Sequence, residues 1–178
     1  EGLKNNIGQL YKMTLADGVE KCFCHGDTYK PNWMIRPDGS VILIDWEYSG
    51  YSDPGIDVGY YVVDAMYDFD KAEEFIKEYL QEDYNETTRF HYMAYVAIIA
   101  YYWFVWAMYR ESCGADMGEA LENWRDMAVL QCQVPFEINN IKRTLYYVRT
   151  VSFFVCKTCK IYIGYVKKVY RICKNTFQ

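Results

Sequence analysis

Three polar side chains stand at fixed intervals early in the chain: Asp27 in a His-Gly-Asp stretch, Asn32 five residues later, and Asp45 after two short apolar runs. Phosphoryl transfer needs such a set, because one carboxylate must orient or deprotonate the attacking hydroxyl while an amide and a second carboxylate hold Mg²⁺ against the nucleotide phosphates. Kinase catalytic loops use the same spacing and order. The pattern predicts Asp27, Asn32 and Asp45 as catalytic residues, with Asn32 and Asp45 as the metal ligands.

A purely structural interpretation of these three residues stays open. Asp27 and Asn32 could be ordinary loop residues, and Asp45 could simply end a strand. His25, two residues before Asp27, is interpreted as a residue that holds the loop rather than as the base, since Asp27 is better placed to meet a hydroxyl.

The elements that must position this set are a loop and a hairpin. The end of a helix over 5–13 and a short strand over 20–24 precede the polar, proline-containing stretch 24–32, which is typical of a loop. Two apolar runs, 33–36 and 41–44, flank a Pro-Asp-Gly-Ser segment whose residues favour a tight turn. The sequence therefore predicts a β-hairpin with Asn32 at its entrance and Asp45 at its exit.

The rest of the acidic part is predicted to be helical. Asp53 and Pro54 mark one helix start, and Asp70 with Glu73 forms a second start of the capping-box type. The four predicted helices cover 55–67, 70–81, 86–111 and 116–130. The predicted fold class is mainly α with a small β-hairpin, without an internal repeat.

Charge divides the chain into two parts. Residues 1–126 hold 10 Lys and Arg against 23 Asp and Glu, a net charge of −13, whereas residues 127–178 hold nine against one, a net of +8. The acidic part argues against nucleic acid as a partner and suits a cationic ligand. We predict a catalytic unit over 1–130 and a basic, aromatic tail over 131–178, either a partner-binding or membrane-surface helix or an added segment without function.

The seven cysteines form no regular framework, which favours a reducing, cytoplasmic location. A Cys-x-x-Cys pair at Cys156 and Cys159 lacks the second pair that a metal knuckle needs. The segment 92–109 has no formal charge and reaches the minimum length for a membrane span. Because it is rich in Tyr and Trp, we predict a buried helix and no stable membrane insertion.

Two segments carry a family resemblance: Cys-His-Gly-Asp-Thr-Tyr-Lys-Pro-Asn at 24–32 and Leu-Ile-Asp-Trp-Glu-Tyr-Ser-Gly-Tyr-Ser-Asp-Pro-Gly-Ile-Asp-Val-Gly at 43–59. They resemble the choline/ethanolamine kinase and aminoglycoside phosphotransferase superfamily, with bacterial choline kinases as the nearest group, and the similarity extends to about residue 128. The resemblance implies the helical C-terminal lobe of a protein-kinase-like fold. It also implies ATP-dependent phosphorylation of the hydroxyl of a small amino alcohol, choline first, with ATP as co-substrate and Mg²⁺ as cofactor.

The resemblance also assigns roles to residues around the ligand. Asp27 would be the catalytic base, Glu47 an acid that supports the site, and Asp57 a brace for the catalytic loop. The implied ligand-binding residues are Glu47, Tyr48, Asp64, Trp103 and Trp106. Aromatic faces recognise a quaternary ammonium, which cannot donate hydrogen bonds. Aromatic residues at helical spacing can equally belong to a core, and that alternative stays open.

Two features depart from a complete choline kinase. Gly26 stands where choline kinases usually carry Asn and aminoglycoside kinases usually carry Gly, so an aminoglycoside or another small molecule is an alternative substrate. Only 23 residues precede Cys24, too few for the nucleotide-binding N-lobe that such kinases need. With the N-lobe absent we expect weak or no turnover from this chain alone, and a non-catalytic remnant is the other alternative.

Overall fold

The computed structural model describes residues 2–132, which form five helices and two small antiparallel sheets. The helices are α1 (Gly2–Thr14), α2 (Gly55–Asp64), α3 (Phe69–Leu80), α4 (Glu86–Ser112) and α5 (119–132), and the strands are β1 (Cys22–Cys24), β2 (Trp33–Ile35), β3 (Val41–Leu43) and β4 (Gly50–Ser52). The predicted mainly α class with a small hairpin is confirmed. The absence of an N-lobe stays a prediction, as does the boundary at residue 130. The tail from residue 133 onward, with Cys156 and Cys159, lies outside the described residues.

The long helix α4 is the centre of the fold, with α2, α1 and α3 packed against it. Close contact with α2 depends on Gly55 and Gly59, because a Cβ at Gly55 would lie 2.4 Å from the Tyr95 ring and one at Gly59 would lie 2.8 Å from Ile99. The main core is built from α2, α3, α4 and α5 by Val58, Val62, Val63, Ala72, Ile76, Tyr92, Met93, Val96, Ile99, Ala100, Met127 and Ala128.

Among residues 2–132, α4 is long and apolar enough to cross a membrane by length and composition, and half of its most apolar window is buried inside the protein. The core helix of a folded domain passes the same test. The contacts of α4 with α1, α2 and α3 agree with the buried helix predicted for 92–109.

Three helix boundaries differ from the prediction, each for a local reason. The cap of α3 is Asp68, whose side chain accepts a hydrogen bond from Lys71 N, and not Asp70. Glu73 cannot complete a capping box because Arg89 and Tyr84 donate to its carboxylate. Helix α2 ends at Asp64 instead of residue 67, since Met66 has a φ of 54°. Helix α5 begins at residue 119, after a turn, rather than at 116.

The two sheets place the loop and the hairpin side by side. The predicted hairpin is β2 with β3, in the register Trp33 to Leu43. The short strand β1 pairs with β4, with Cys24 opposite Gly50. The sequence did not predict this second pairing, because β4 is a three-residue segment rich in small and polar groups. It closes the loop between β1 and β2 against the segment that follows Asp45.

Candidate active site

The loop that carries Asp27 is held by the first turn of α2. The carboxylate of Asp57 accepts hydrogen bonds from His25 N at 2.8 Å and from Gly26 N at 2.7 Å. The carbonyl oxygen of Asp57 accepts a third from the Thr28 hydroxyl at 2.5 Å. Hydrogen bonds to an ionised acceptor are among the stronger ones in proteins. Asp57 therefore fixes the backbone on both sides of Asp27, which is the brace that the resemblance implied.

The ring of His25 holds the loop to the hairpin. Its Nδ1 accepts a hydrogen bond from Asp27 N at 3.2 Å, so the ring proton lies on Nε2, which donates to Ile44 O at 2.8 Å. The side chain is 2% exposed and is covered by the edge of Trp46, with ring centroids 4.7 Å apart. Both nitrogens are thus occupied in holding the backbone. His25 is a positioning residue that holds the loop, as interpreted from the sequence.

The hairpin returns Asp45 to the neighbourhood of Asn32. Ile44 N donates to Asn32 O at 2.9 Å, which extends the β2–β3 ladder by one step up to the residue before Asp45. Asp45 itself has a φ of 65° and is exposed. The amide nitrogen of Asn32 donates to Asp27 O at 2.8 Å and to Asp27 Oδ2 at 3.0 Å. The structure thus brings together the three residues that their spacing predicted.

The donor set of Asn32 and Asp45 fits Mg²⁺. The nitrogen of Asn32 is used by Asp27, so its amide oxygen is the atom available to a cation. No group of three or more His, Cys, Asp or Glu residues able to hold a metal occurs within residues 2–132. Mg²⁺ is typically bound by one or two protein ligands together with substrate phosphates, so a two-residue oxygen site is sufficient for a nucleotide-dependent metal.

The environment of Asp27 raises its pKa above the usual value for an aspartate. Burial is the largest cause, the hydrogen bond from Asn32 lowers the pKa in part, and the charges of Asp45 and Glu47 raise it. A carboxylate with a raised pKa accepts a proton more readily, which suits a general base. The same interactions show that the three carboxylates lie in one electrostatic neighbourhood.

Gly26 is required by its conformation and by its contact. Its φ is 80°, and a Cβ at this position would lie 2.6 Å from the carbonyl oxygen of Tyr48. A non-glycine residue at such a positive φ costs about 1–3 kcal/mol. We expect Gly26→Ala to lower the free energy of unfolding by at least this amount, because Tyr48 must also move. Chemical denaturation measures the loss.

The matched control for Gly26→Ala is Gly39→Ala in the hairpin turn. Gly39 has nearly the same φ, 82°, but a Cβ there would meet nothing within 4 Å. Gly39→Ala should therefore show the conformational cost alone. Equal losses in the two variants would contradict the contact between Gly26 and Tyr48.

A cavity of about 430 Å³ opens beside this loop, between α1, the β1–β4 sheet, α2 and α4. This volume lies within the range of roughly 300–1,000 Å³ that small-molecule sites occupy. Gly26 and Cys24 belong to its lining on the loop side. Six tyrosines line it, namely Tyr11, Tyr48, Tyr51, Tyr60, Tyr95 and Tyr102. The Glu47 charge raises the pKa of Tyr48 and burial raises that of Tyr60. The Asp27 charge adds a smaller increase to both, so the cavity lies within electrostatic reach of the Asp27 carboxylate.

Comparison with known proteins agrees with this site. Residues 6–93 match the phosphotransferase enzyme family, and this range includes the loop, the hairpin and the start of α4. The chain is also 32% identical over 75 residues to a human choline/ethanolamine kinase, and 26% identical over 106 residues to the protein LicA of Haemophilus influenzae. The predicted resemblance to the choline/ethanolamine kinase and aminoglycoside phosphotransferase superfamily is confirmed.

These matches cover only part of each relative. They span 40% and 54% of this chain but 19% of the human kinase and 38% of LicA. The choline kinase LicA from Streptococcus pneumoniae has a similar structure, with a TM-score of 0.61 and 27% identity over 75% of this chain and 47% of its own. A choline/ethanolamine kinase family protein from Mesorhizobium loti, 21% identical with a TM-score of 0.62, covers 84% of this chain and 50% of its own and shares the fold.

The predicted ligand residues Tyr48 and Asp64 lie in different parts of the structure. Tyr48 lines the cavity, and the neighbouring Glu47 charge raises the pKa of its hydroxyl. The carboxylate of Asp64 accepts a hydrogen bond from Lys30 N at 2.7 Å, and its carbonyl oxygen accepts one from Lys30 Nζ at 3.3 Å. Asp64 thus holds the second half of the catalytic loop, and its contact with an ammonium group stays a prediction.

The two predicted tryptophans lie outside the cavity lining. Trp103 and Trp106 contact each other, with centroids 5.2 Å apart, and both pack against Trp124 of α5. The guanidinium of Arg110 lies 5.6 Å from the centre of the Trp106 ring, so a cation already faces it. Trp103 also touches Tyr60, which does line the cavity. Trp103 therefore supports the tyrosine wall from behind, and direct ligand contact by either tryptophan stays a prediction.

Sequence reasoning missed most of the tyrosines around the cavity. Tyr60 and Tyr95 were assigned to helices but not to the site. Tyr51 lies in a segment that carries the family resemblance but was given no role, and Tyr11 belongs to a segment without a recognisable motif. The signal that was available is composition, since the chain has 19 tyrosines. Composition alone does not indicate which of them converge, because they come from α1, β4, α2 and α4.

Proposed function

We propose that this chain carries the catalytic and substrate-binding part of a kinase that transfers phosphate from ATP to the hydroxyl of a small amino alcohol, with choline as the preferred substrate. The observation that carries the proposal is the position of Asp27, which is fixed by Asp57, His25 and Asn32 within electrostatic reach of the tyrosine-lined cavity. Similar proteins described as choline/ethanolamine kinases support the substrate class.

The residues of the loop would divide the work of in-line transfer. Asp27 would accept a hydrogen bond from the substrate hydroxyl and take its proton as the bond to phosphorus forms. Asn32 and Asp45 would hold Mg²⁺ through oxygen atoms, and this cation would supply charge neutralisation on the nucleotide phosphates. A solved structure of the related LicA contains AMP, which supports ATP as the co-substrate.

The tyrosine rings of the cavity would supply the aromatic faces that bind a quaternary ammonium. Such a group is attracted to aromatic faces and gains nothing from hydrogen-bond acceptors alone. The net charge of −13 over residues 1–126 favours a cation in the same region. An aminoglycoside, which is polycationic and rich in hydroxyls, would need several carboxylates around it, whereas Asp53 is the acidic residue in the cavity lining. The composition of the wall therefore favours choline.

Choline binding to the chain tests the proposal at the cavity. We expect saturable binding of choline by calorimetry, weaker binding of ethanolamine, and about 2- to 30-fold weaker choline binding in Tyr102→Ala, which corresponds to one aromatic face. Tyr109→Ala is the matched control, because Tyr109 is also an exposed tyrosine of α4 but does not line the cavity.

The same titration separates the cavity from the tryptophan pair. If Trp106→Ala abolishes choline binding while Tyr102→Ala does not, the ammonium binds at the tryptophans and the cavity assignment is wrong. Absence of choline binding by a chain shown to be folded would contradict choline as the substrate. Tight binding of an aminoglycoside in its place would favour that alternative.

A further inference from the structure

The strand that leads into the catalytic loop carries two thiols side by side. Cys22 Sγ and Cys24 Sγ are 3.7 Å apart, because residues two apart on a strand point to the same face. Cys22 is exposed and Cys24 is 2% exposed. Neither thiol has a part in the transfer proposed above.

Any movement of Cys24 is passed directly to the catalytic loop. Cys24 is the last residue of β1, opposite Gly50 of β4, and it directly precedes His25. The amide nitrogens of His25 and Gly26 are the groups that Asp57 holds. The position of the second thiol and the position of Asp27 are therefore mechanically linked through the two residues between them, His25 and Gly26.

We propose that Cys22 and Cys24 form an oxidation site at which hydrogen peroxide joins the two thiols in a disulfide, and that closure of this disulfide releases the catalytic loop from Asp57. Formation of the bond is independent of the proposed function. Its consequence for phosphate transfer rests on that function.

The chemistry requires one exposed thiol and one neighbouring thiol. The Cys22 sulfur attacks one peroxide oxygen, the O–O bond breaks, and the second oxygen leaves as water, which gives a sulfenic acid on Cys22. The Cys24 sulfur then attacks the Cys22 sulfur, the S–O bond breaks, and the oxygen leaves as water with the Cys24 proton. The two thiols lose two electrons in total, and the peroxide is reduced to two water molecules.

Exposure assigns the order of the two steps. Burial and the hydrogen bond with Cys22 raise the pKa of Cys24 to about 12, so Cys24 is a thiol and not a thiolate in the reduced protein. The thiolate is the form that attacks peroxide. Cys22, which is exposed, therefore meets the oxidant first, and Cys24 completes the disulfide because it lies within 3.7 Å.

Closure of the disulfide changes the backbone. Two residues on a strand span about 6.6 Å between their Cα atoms, whereas disulfides join Cα atoms about 4.4–6.8 Å apart and most often about 5.5–6 Å apart. The bond is within reach, but β1 must shorten as it forms. This shortening draws Cys24 away from Gly50 and pulls the His25 amide away from Asp57.

The disulfide is detected in a single tryptic peptide. Trypsin cuts after Lys21 and Lys71 but not before the prolines that follow Lys30 and Arg36, so residues 22–71 are released together and contain both cysteines and no other. After peroxide treatment and alkylation, we expect this peptide to carry no alkyl group and to be lighter by two hydrogen atoms, with reversal by dithiothreitol. Two alkyl groups on the peptide, or a cross-link from it to another cysteine, would overturn the proposal.

Variants identify the role of each thiol. In Cys24→Ser, the sulfenic acid on Cys22 should persist and be trapped by dimedone, whereas in Cys22→Ser neither a disulfide nor a sulfenic acid should appear on the peptide. Cys113→Ser, which removes an exposed thiol at the end of α4, should leave the disulfide unchanged. A trapped sulfenic acid on Cys24 in the Cys22→Ser variant would overturn the assigned order.

Release of the loop has a readout that does not depend on activity. The amides of His25 and Gly26 are protected from hydrogen exchange by Asp57 in the reduced protein. We expect the oxidised protein to lose this protection, while the β2–β3 hairpin keeps its own. Unchanged protection of both amides in a protein shown to contain the disulfide would overturn the link between oxidation and the loop, whatever the outcome of the choline titration.

Discussion

Asp27→Asn is expected to lower phosphate transfer to choline by about 10²- to 10⁴-fold, the contribution of a positioned general base. Asparagine retains the size of the side chain but cannot take the proton of the hydroxyl. The loop should keep its shape, because Asp57 holds the backbone of His25 and Gly26 and Asn32 also donates to the Asp27 carbonyl. Unchanged choline binding together with slow transfer would identify a loss in the chemical step.

The measurement is a single-turnover assay with radiolabelled ATP and the chain in excess, which detects slow transfer. Asp38→Asn is the control, because Asp38 is an exposed carboxylate in the hairpin turn whose hydrogen bonds go to Ser40. Since the pKa of Asp27 is raised, the acidic limb of the rate should also lie at a higher pH than that of an ordinary aspartate. Equal transfer by the wild type and Asp27→Asn would contradict the base assignment.

The sequence predicted the part of the site whose residues lie close together along the chain. Asp27, Asn32 and Asp45 lie on one loop and one hairpin, so turn residues and spacing were enough to bring them together. The same holds for the start of α4, where Asn85 accepts hydrogen bonds from Thr87 N and Thr88 N. Local hydrogen bonds of this kind are readable from residue type.

What escaped prediction depends on contacts between distant segments. The tyrosines of the cavity come from α1, β4, α2, α4 and the segment before β4, and the pairing of β1 with β4 joins residues that no turn connects. Trp103 and Trp106 satisfied the spacing of a ligand face, yet Trp124 covers them from α5. Helical spacing shows that two rings share a face but not which neighbour packs against that face.

Another feature that depends on contacts between distant segments is a buried histidine between two carboxylates. His91 Nδ1 lies 2.8 Å from Asp17 Oδ2, and Nε2 lies 2.8 Å from Asp53 Oδ1, while the side chain of His91 is fully buried. Both nitrogens therefore donate, and the ring is an imidazolium held by two acids. Asp53 also accepts from Gly55 N at the start of α2. The cluster joins the loop after α1, the start of α2 and α4.

Removal of the imidazolium leaves two carboxylates facing each other in the interior. We expect His91→Ala to lower the free energy of unfolding by about 3–5 kcal/mol, the cost of breaking a buried ion pair by removing one partner. Urea denaturation at pH 6 measures the loss. Met93→Ala is the matched control, because Met93 is buried on the same helix and its truncation costs about 2–5 kcal/mol through a cavity, without a titrating group.

The pH dependence distinguishes the ion pair from simple packing. Burial lowers the pKa of His91, but hydrogen bonds to Asp53 and Asp17 outweigh it and raise the pKa above the usual value. Because the folded pKa exceeds the unfolded one, the stabilisation is complete below about pH 6.5 and is lost as the pH rises through the folded pKa.

At low pH, protonation of Asp53 removes the stabilisation that the ion pair with His91 provides. Burial raises the pKa of Asp53, and hydrogen bonds from His91 and Gly55 N reverse this and lower it overall. Its contribution is complete above about pH 3.9 and is lost as the pH falls through its folded pKa. The stability difference between the wild type and His91→Ala should therefore be largest between about pH 4 and 6.5 and shrink on both sides. A difference that stays constant with pH, like the one expected for Met93→Ala, would show that His91 acts through packing alone.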